Sequence, residues 1–226
     1  MSTFVDIANL TLARLGDDAT VASLDPPEGS AQATHCARFM PMAIQSMLEE
    51  HDWSFATVRA SLALLAEQPP STWQYVYAAP ADLVTTIAIL APDAPGDYSP
   101  QIRAFSYAGA CDYTEVNMLN AYTPQNYTVE IDSTGASVIY TNQKDAVLRY
   151  TRLLDDPSKF SPLFTQALVA FLASMVAGPL IKGAEGRQVA QSMLQEYRLW
   201  MGKAMESDAN EQHRRNTNQN AGMAAR

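Results

Sequence analysis

Charge is scarce in this chain. Charged residues make up 17% of its 226 positions, against roughly 25% in ordinary soluble domains. What charge there is leans acidic, with 24 Asp and Glu against 15 Lys and Arg, a formal net charge of −9. An acidic chain gains no counterion-release attraction to phosphates, which excludes a sequence-reading DNA-binding protein and suits a wall past which DNA slides without sticking. Cysteine is almost missing: Cys36 and Cys111 form neither a CxxC pair nor a metal-ligand spacing, so a disulfide scaffold and a zinc site are excluded and two reduced thiols are expected. The three histidines, His35, His51 and His213, are too few and too scattered to assemble an imidazole-rich metal centre. The start, MSTFVDIANL, lacks the basic and apolar regions of a signal peptide. The apolar run 167–181 is broken by Ser174, Gly178 and Pro179 and falls short of the roughly 20 residues of a membrane span. A soluble protein with no membrane partner is expected.

Hydrophobic content, 47%, is ordinary, so little charge is left to cover the surface. Gln, Asn, Ser and Thr could cover it, or the surface could be buried in an assembly; the charge deficit favours assembly. The length predicts one domain, or one domain with an inserted lobe, large enough to bury a substantial core.

The organising stretch is 30–55, SAQATHCARFMPMAIQSMLEEHDWSF. Ala33, Cys36 or Ala37, Met40, Ala43 or Ile44, Met47 and Leu48 recur at helical spacing and predict one long amphipathic helix. Pro41 lies inside it and costs a backbone hydrogen bond, roughly 3 kcal/mol; because the apolar period continues in phase on both sides, a kink is expected rather than two helices. Trp53 and Phe55, two apart, suit a strand face and should anchor the passage from helix to sheet.

Before this stretch, Thr3 and Asp6 form a capping-box pattern and Gly16 marks a stop, predicting a short first helix. Residues 17–29 read as a surface connection. After it, Ala56 to Leu62 alternate with period two and predict a strand. Residues 67–72 break the chain, and Leu83 to Leu90 favour strand. Residues 91–126, rich in Pro, Gly, Asp, Asn and Tyr, read as a long loop or small lobe with short elements at best, the kind of segment that carries function. Tyr127 to Ile131 and Val138 to Tyr140, around Ser133, Thr134 and Gly135, predict a hairpin, with 145–153 adding a strand to the same sheet. Ser161 and Pro162 open an all-round apolar helix suited to a bundle centre, which Gly178 and Pro179 should end or bend. Gly183 to Gly186 should supply a turn before a last helix from Arg187 to about Met205. The expected fold is mainly α with a β insertion: a four-helix bundle core plus a small antiparallel β lobe between helices two and three. The expected division is 1–52 and 154–206 for the bundle, 53–153 for the lobe, and 207–226 for an extended polar tail.

Tests for chemistry return little. His35 and Cys36 are neighbours on a helix, about 100° apart, and do not face each other. His51 and Asp52 look like the dipeptide of metal-dependent phosphohydrolases, whose site needs more ligands than the other two histidines supply. GPLIKGAEG at 178–186 lacks the glycine-to-lysine spacing and the preceding strand of a phosphate loop. The pairs Asp17–Asp18 and Asp155–Asp156 sit at element ends, where carboxylates cap and solvate. Tyr98, Tyr107, Tyr113, Tyr122 and Tyr127 read as packing of the β lobe, as a protein interface or as a sugar-binding surface. Arg214 and Arg215 are the basic cluster of the tail, free to meet an acidic groove on a partner. No catalytic, metal-binding or cofactor-binding residue is expected, and Arg214, Arg215, Tyr98, Tyr107, Tyr113 and Tyr122 are the candidate partner contacts.

The order and spacing of Cys36, Phe39, Pro41, Ala43, Leu48, His51, Trp53, Phe55 and Ala56, then Arg59, Ala60, Leu62, Ala63, Leu64 and Leu65, resemble the head-to-tail adaptor proteins of short-tailed phages, often called tail tubular protein A. Phe160, Pro162, Phe164, Ala167, Leu168, Leu172, Ala173, Pro179 and Leu180 resemble a second signature of that family, whose members commonly carry arginine where this chain has Ala37 and Ile44. The resemblance covers most of 30–181. It implies a structural virion protein and not an enzyme: a ring, typically of twelve copies, between the portal and the tail nozzle, through which DNA passes without sequence-specific binding. Other classes consistent with the residues are a small metal-dependent hydrolase using His51 and Asp52, and a tail-completion protein of a long-tailed phage.

Overall fold

The computed structural model describes residues 3–92, 94, 98–105, 115–122 and 125–211. Among them are the helices α1 (Phe4–Arg14), α2 (Ala31–Glu49), α3 (Pro162–Ile181) and α4 (Gly183–Glu211). Between α2 and α3 run β1 (Thr57–Ser61), β2 (Tyr75–Ala78), β3 (Leu83–Leu90), β4 (Tyr98–Phe105), β5 (Glu115–Tyr122), β6 (Tyr127–Ile131), β7 (Ser137–Thr141) and β8 (Val147–Arg152). The chain is thus mixed α and β, with small antiparallel sheets. It divides into two compact units, a helical one from Met1–Thr57 and Thr151–His213 and a strand-bearing one built on Val58–Tyr150.

In the helical unit, α1 starts at a full capping box, Thr3 and Asp6 each bonding the other's backbone N–H. It stops before Gly16, whose φ of +75° suits glycine. Ser30 caps α2, which continues as one helix through Pro41; the apolar face that includes Cys36, Met40, Ile44 and Leu48 is buried on both sides of the proline, and that burial offsets the lost hydrogen bond. Ser161 caps α3 as expected, with Pro162 in its first turn. Pro179 neither ends α3 nor opens a turn: the helix runs to Ile181, and the joint is the single residue Lys182 at φ +63°. α4 therefore begins at Gly183, four residues earlier than expected. At Gly186 the two helices come so close that a Cβ would lie 3.1 Å from the Ala177 carbonyl oxygen, which accounts for glycine there. α3 packs against α1, α2 and α4, burying Phe164, Leu168, Leu172 and Val176. By length and composition alone α3 could cross a membrane, but its buried side chains mark it as a core helix.

Trp53 and Phe55 are not on a strand. They lie in the turn ahead of β1, where Trp53 stacks edge-on against Phe164 at 4.9 Å and Phe55 tilts against Phe160 at 6.1 Å. These contacts tie 53–57 to the helices, so the division between units falls at Thr57 and not at Asp52.

The strand-bearing unit holds three sheets, ordered β1-β8-β3, β2-β7-β6 and β4-β5. The hairpin β6–β7 has the expected register, Val129 opposite Ile139, and Asp132 closes its turn by accepting from the Thr134 and Ala136 N–H groups. β8 does not extend that sheet; it pairs between β1 and β3. The segment read as a long loop or small lobe with short elements at best contains an eight-residue antiparallel ladder, β4 on β5, with Tyr98 opposite Tyr122. Tyr77, Ile89, Ile139, Leu148 and Tyr150 form the unit's core.

Candidate functional site

The densest polar constellation in the helical unit lies where α2 ends and α4 passes. Residues Tyr197, Met201, Ala204 and Asp208 are all buried, a spacing of four, three and four that keeps one helix face inward. The last of them is a carboxylate. Asp208, 5% exposed, accepts from the Ser54 N–H at 2.9 Å and the Ser54 hydroxyl at 2.6 Å through Oδ1, and its Oδ2 lies 2.9 Å from His51 Nε2. An ionised Asp208 requires that Nε2 carry the ring proton. Eleven residues earlier on the same face of α4, beyond Met201, Tyr197 donates its hydroxyl proton to Glu50 at 2.7 Å and stacks on Phe171. Burial, the hydrogen bond and the Glu50 charge together push the Tyr197 phenol upward. Trp53 completes the turn by donating its indole N–H to the Met47 carbonyl at 2.8 Å.

This arrangement fastens; it does not prime a nucleophile. The Ser54 hydroxyl points to Asp208 and not to an imidazole, so the base-activated hydroxyl of covalent catalysis is not formed. Cys36 is fully buried, and desolvation pushes its thiol up to about 11, so it stays protonated at neutral pH beside a His35 ring that stacks on Phe39. His51 is spoken for by Asp208. No group of three or more His, Cys, Asp or Glu that could hold a metal occurs among the described residues.

The candidate partner contacts are reached only in part. Tyr98 and Tyr122 are register partners in the β4–β5 ladder; Tyr107, Tyr113, Arg214 and Arg215 lie outside the described residues. Tyr127 packs on the strand-unit core and donates to the Thr86 carbonyl at 3.2 Å. The tail starts later than expected, since 207–211 are the end of α4. Asp208 was not singled out from sequence; the signal was the inward spacing from Tyr197, which continues past Met205.

A second cluster joins three helices: Arg14 of α1 bonds both Glu196 of α4 and Gln166 of α3. Trp200 donates its indole N–H to the same Glu196 carboxylate at 3.1 Å, with the Lys203 ammonium 4.7 Å from its ring centroid. Exposed apolar side chains stand on both units: Leu10, Met42 and Leu199 on helices, Leu64, Val129 and Ile131 in the strand-bearing part. Ile131, 73% exposed, is on β6, an edge strand of its sheet.

No known family and no curated protein matches the chain. The reading of its function therefore rests on its residues and their geometry.

Proposed function

We propose that this chain is a structural virion protein, a head-to-tail adaptor that forms a ring between portal and tail nozzle and lines part of the DNA ejection channel. The observation that carries the reading is convergence. The two stretches that resemble the adaptor family are separated by the whole strand-bearing insert, yet Trp53, Phe55, Phe160 and Phe164 form one aromatic cluster with centroids 4.9 to 6.1 Å apart. That meeting is what a fold shared along both stretches would require, and it supports the reading.

In this reading the four helices form a bundle that packs beside its neighbours, twelve copies closing the ring. Ile44, where many adaptors carry arginine, is buried here, so this chain fills that position with packing. The strand-bearing unit meets the tail components, and the exposed Val129 and Ile131 on edge strand β6 suit such a contact. The net charge of −9 suits a conduit that repels the DNA it passes. No bond is made or broken.

The test is the mass of the purified protein, alone and with the portal protein of the same phage, by native mass spectrometry. A multi-copy ring on the portal is expected. A chain that stays monomeric and ignores the portal removes the adaptor reading.

A further inference from the structure

α4 has two flanks beside its buried face. Glu196 marks one, held by Arg14 of α1. At about 100° per residue, Arg187 and Arg198 lie roughly 180° to 200° round the helix from Glu196, so the flank turned from α1 presents two exposed guanidiniums. Neither makes an ion pair with a described residue. Leu199, 57% exposed, lies about 100° round the helix from Arg198, on the solvent-facing side between the two flanks. The arginine flank is thus a basic helix face with no ion pair to a described residue.

The connection between α1 and α2 has the opposite character. Residues 17–28 contain Asp17, Asp18, Asp25 and Glu28 and no Lys or Arg. The segment is firmly built: Asn9 exchanges two hydrogen bonds with the Val21 backbone at 2.7 and 3.0 Å, and Gln32 donates to Asp17 at 3.1 Å. Val21 and Leu24 turn inward to pack with Leu12 and Ala33. Glu28 is occupied by the Ala22 N–H and the Ser30 hydroxyl. Asp18 and Asp25 are left exposed, without an ion pair to a described residue.

We propose that the Arg187–Arg198 face of α4 docks on the Asp18–Asp25 connection of a second copy of this chain, head to tail. The inference rests on the adaptor reading and names the contact that builds its ring. Complementary charge selects the occupant: a basic face is rare on so acidic a chain, and the chain carries its own acidic counterpart. Two different patches make a heterologous contact, which propagates round a closed ring, whereas a two-fold contact of either patch with itself would set like charges together. Exposed ion pairs add little strength. Their role is to set which faces meet.

Three variants test this with the portal present: Arg187→Glu with Arg198→Glu, Asp18→Arg with Asp25→Arg, and all four together. Each double variant should lose at least tenfold in ring yield by native mass spectrometry, and the fourfold swap should recover most of it. Circular dichroism and thermal melts check that each is folded. Double variants that assemble like wild type, or a fourfold variant that recovers nothing, overturn the pairing while leaving the adaptor reading intact. A wild-type chain that forms no ring on the portal overturns both.

Discussion

Asp208 occupies a place on α4 where a leucine would be ordinary. Its carboxylate answers three polar groups of the 51–54 turn, and removing one side of such a buried set leaves the others unsatisfied. Asp208→Ala should therefore cost about 3 kcal/mol, read from urea denaturation; a loss within 0.5 kcal/mol, the order of a plain surface change, would mean that water replaces the carboxylate without penalty. Trp53 is buried among Phe55, Phe164 and His51, and Trp53→Ala should cost about 3 to 5 kcal/mol. Cys36 supplies a pH signature. Its thiol is raised from 9.0 to about 11 by burial, so between those values the unfolded chain ionises while the folded one does not. Its share of stability is complete below pH 9 and is lost as pH rises to 11. The urea midpoint should fall over that range and fall less steeply in Cys36→Ala; identical slopes would assign the fall to Tyr197 and other groups.

The helices were largely legible, because capping residues and apolar periodicity act locally: Thr3 and Ser161 each cap the helix they announce, and the apolar period of α2 carries through Pro41. The errors came where packing overrides a local preference. Gly178 and Pro179 read as an end or a bend and Gly183 to Gly186 as a turn, but α3 runs to Ile181 and α4 starts at Gly183, with close packing of the two helices at Gly186. Gly186→Val should drive those helices apart and lower the thermal midpoint by several degrees, while Gly202→Ala, with open space around it, should not lower it. The β4–β5 ladder was missed for a different reason: its strands carry Pro100, Gln101, Asn117 and Asn120, so no alternation of apolar residues announces them. Aromatic pairs such as Trp53 with Phe164 are fixed by tertiary contact, and sequence order alone could name the residues but not their meeting.

For the molecule as a whole, the adaptor reading makes the segment beyond α4 a candidate for portal docking. Deleting 212–226 leaves Asp208 and its partners in place, so the thermal midpoint should hold while portal docking weakens. Deleting 207–226 also removes the carboxylate and should lower the midpoint measurably. Equal docking by the shorter deletion and wild type would strip the terminal segment of its role.

The strand-bearing unit enters and leaves the helical one on neighbouring strands: the Arg152 N–H donates to the Ala56 carbonyl at 3.0 Å, and the Leu62 N–H donates to Ala146 at 2.9 Å. Entry and exit thus lie side by side in antiparallel register, so adjoining ends are all that the helical unit requires of its insert. Any domain with adjoining termini meets that requirement, and replacing 58–150 with one should leave the helical unit folded.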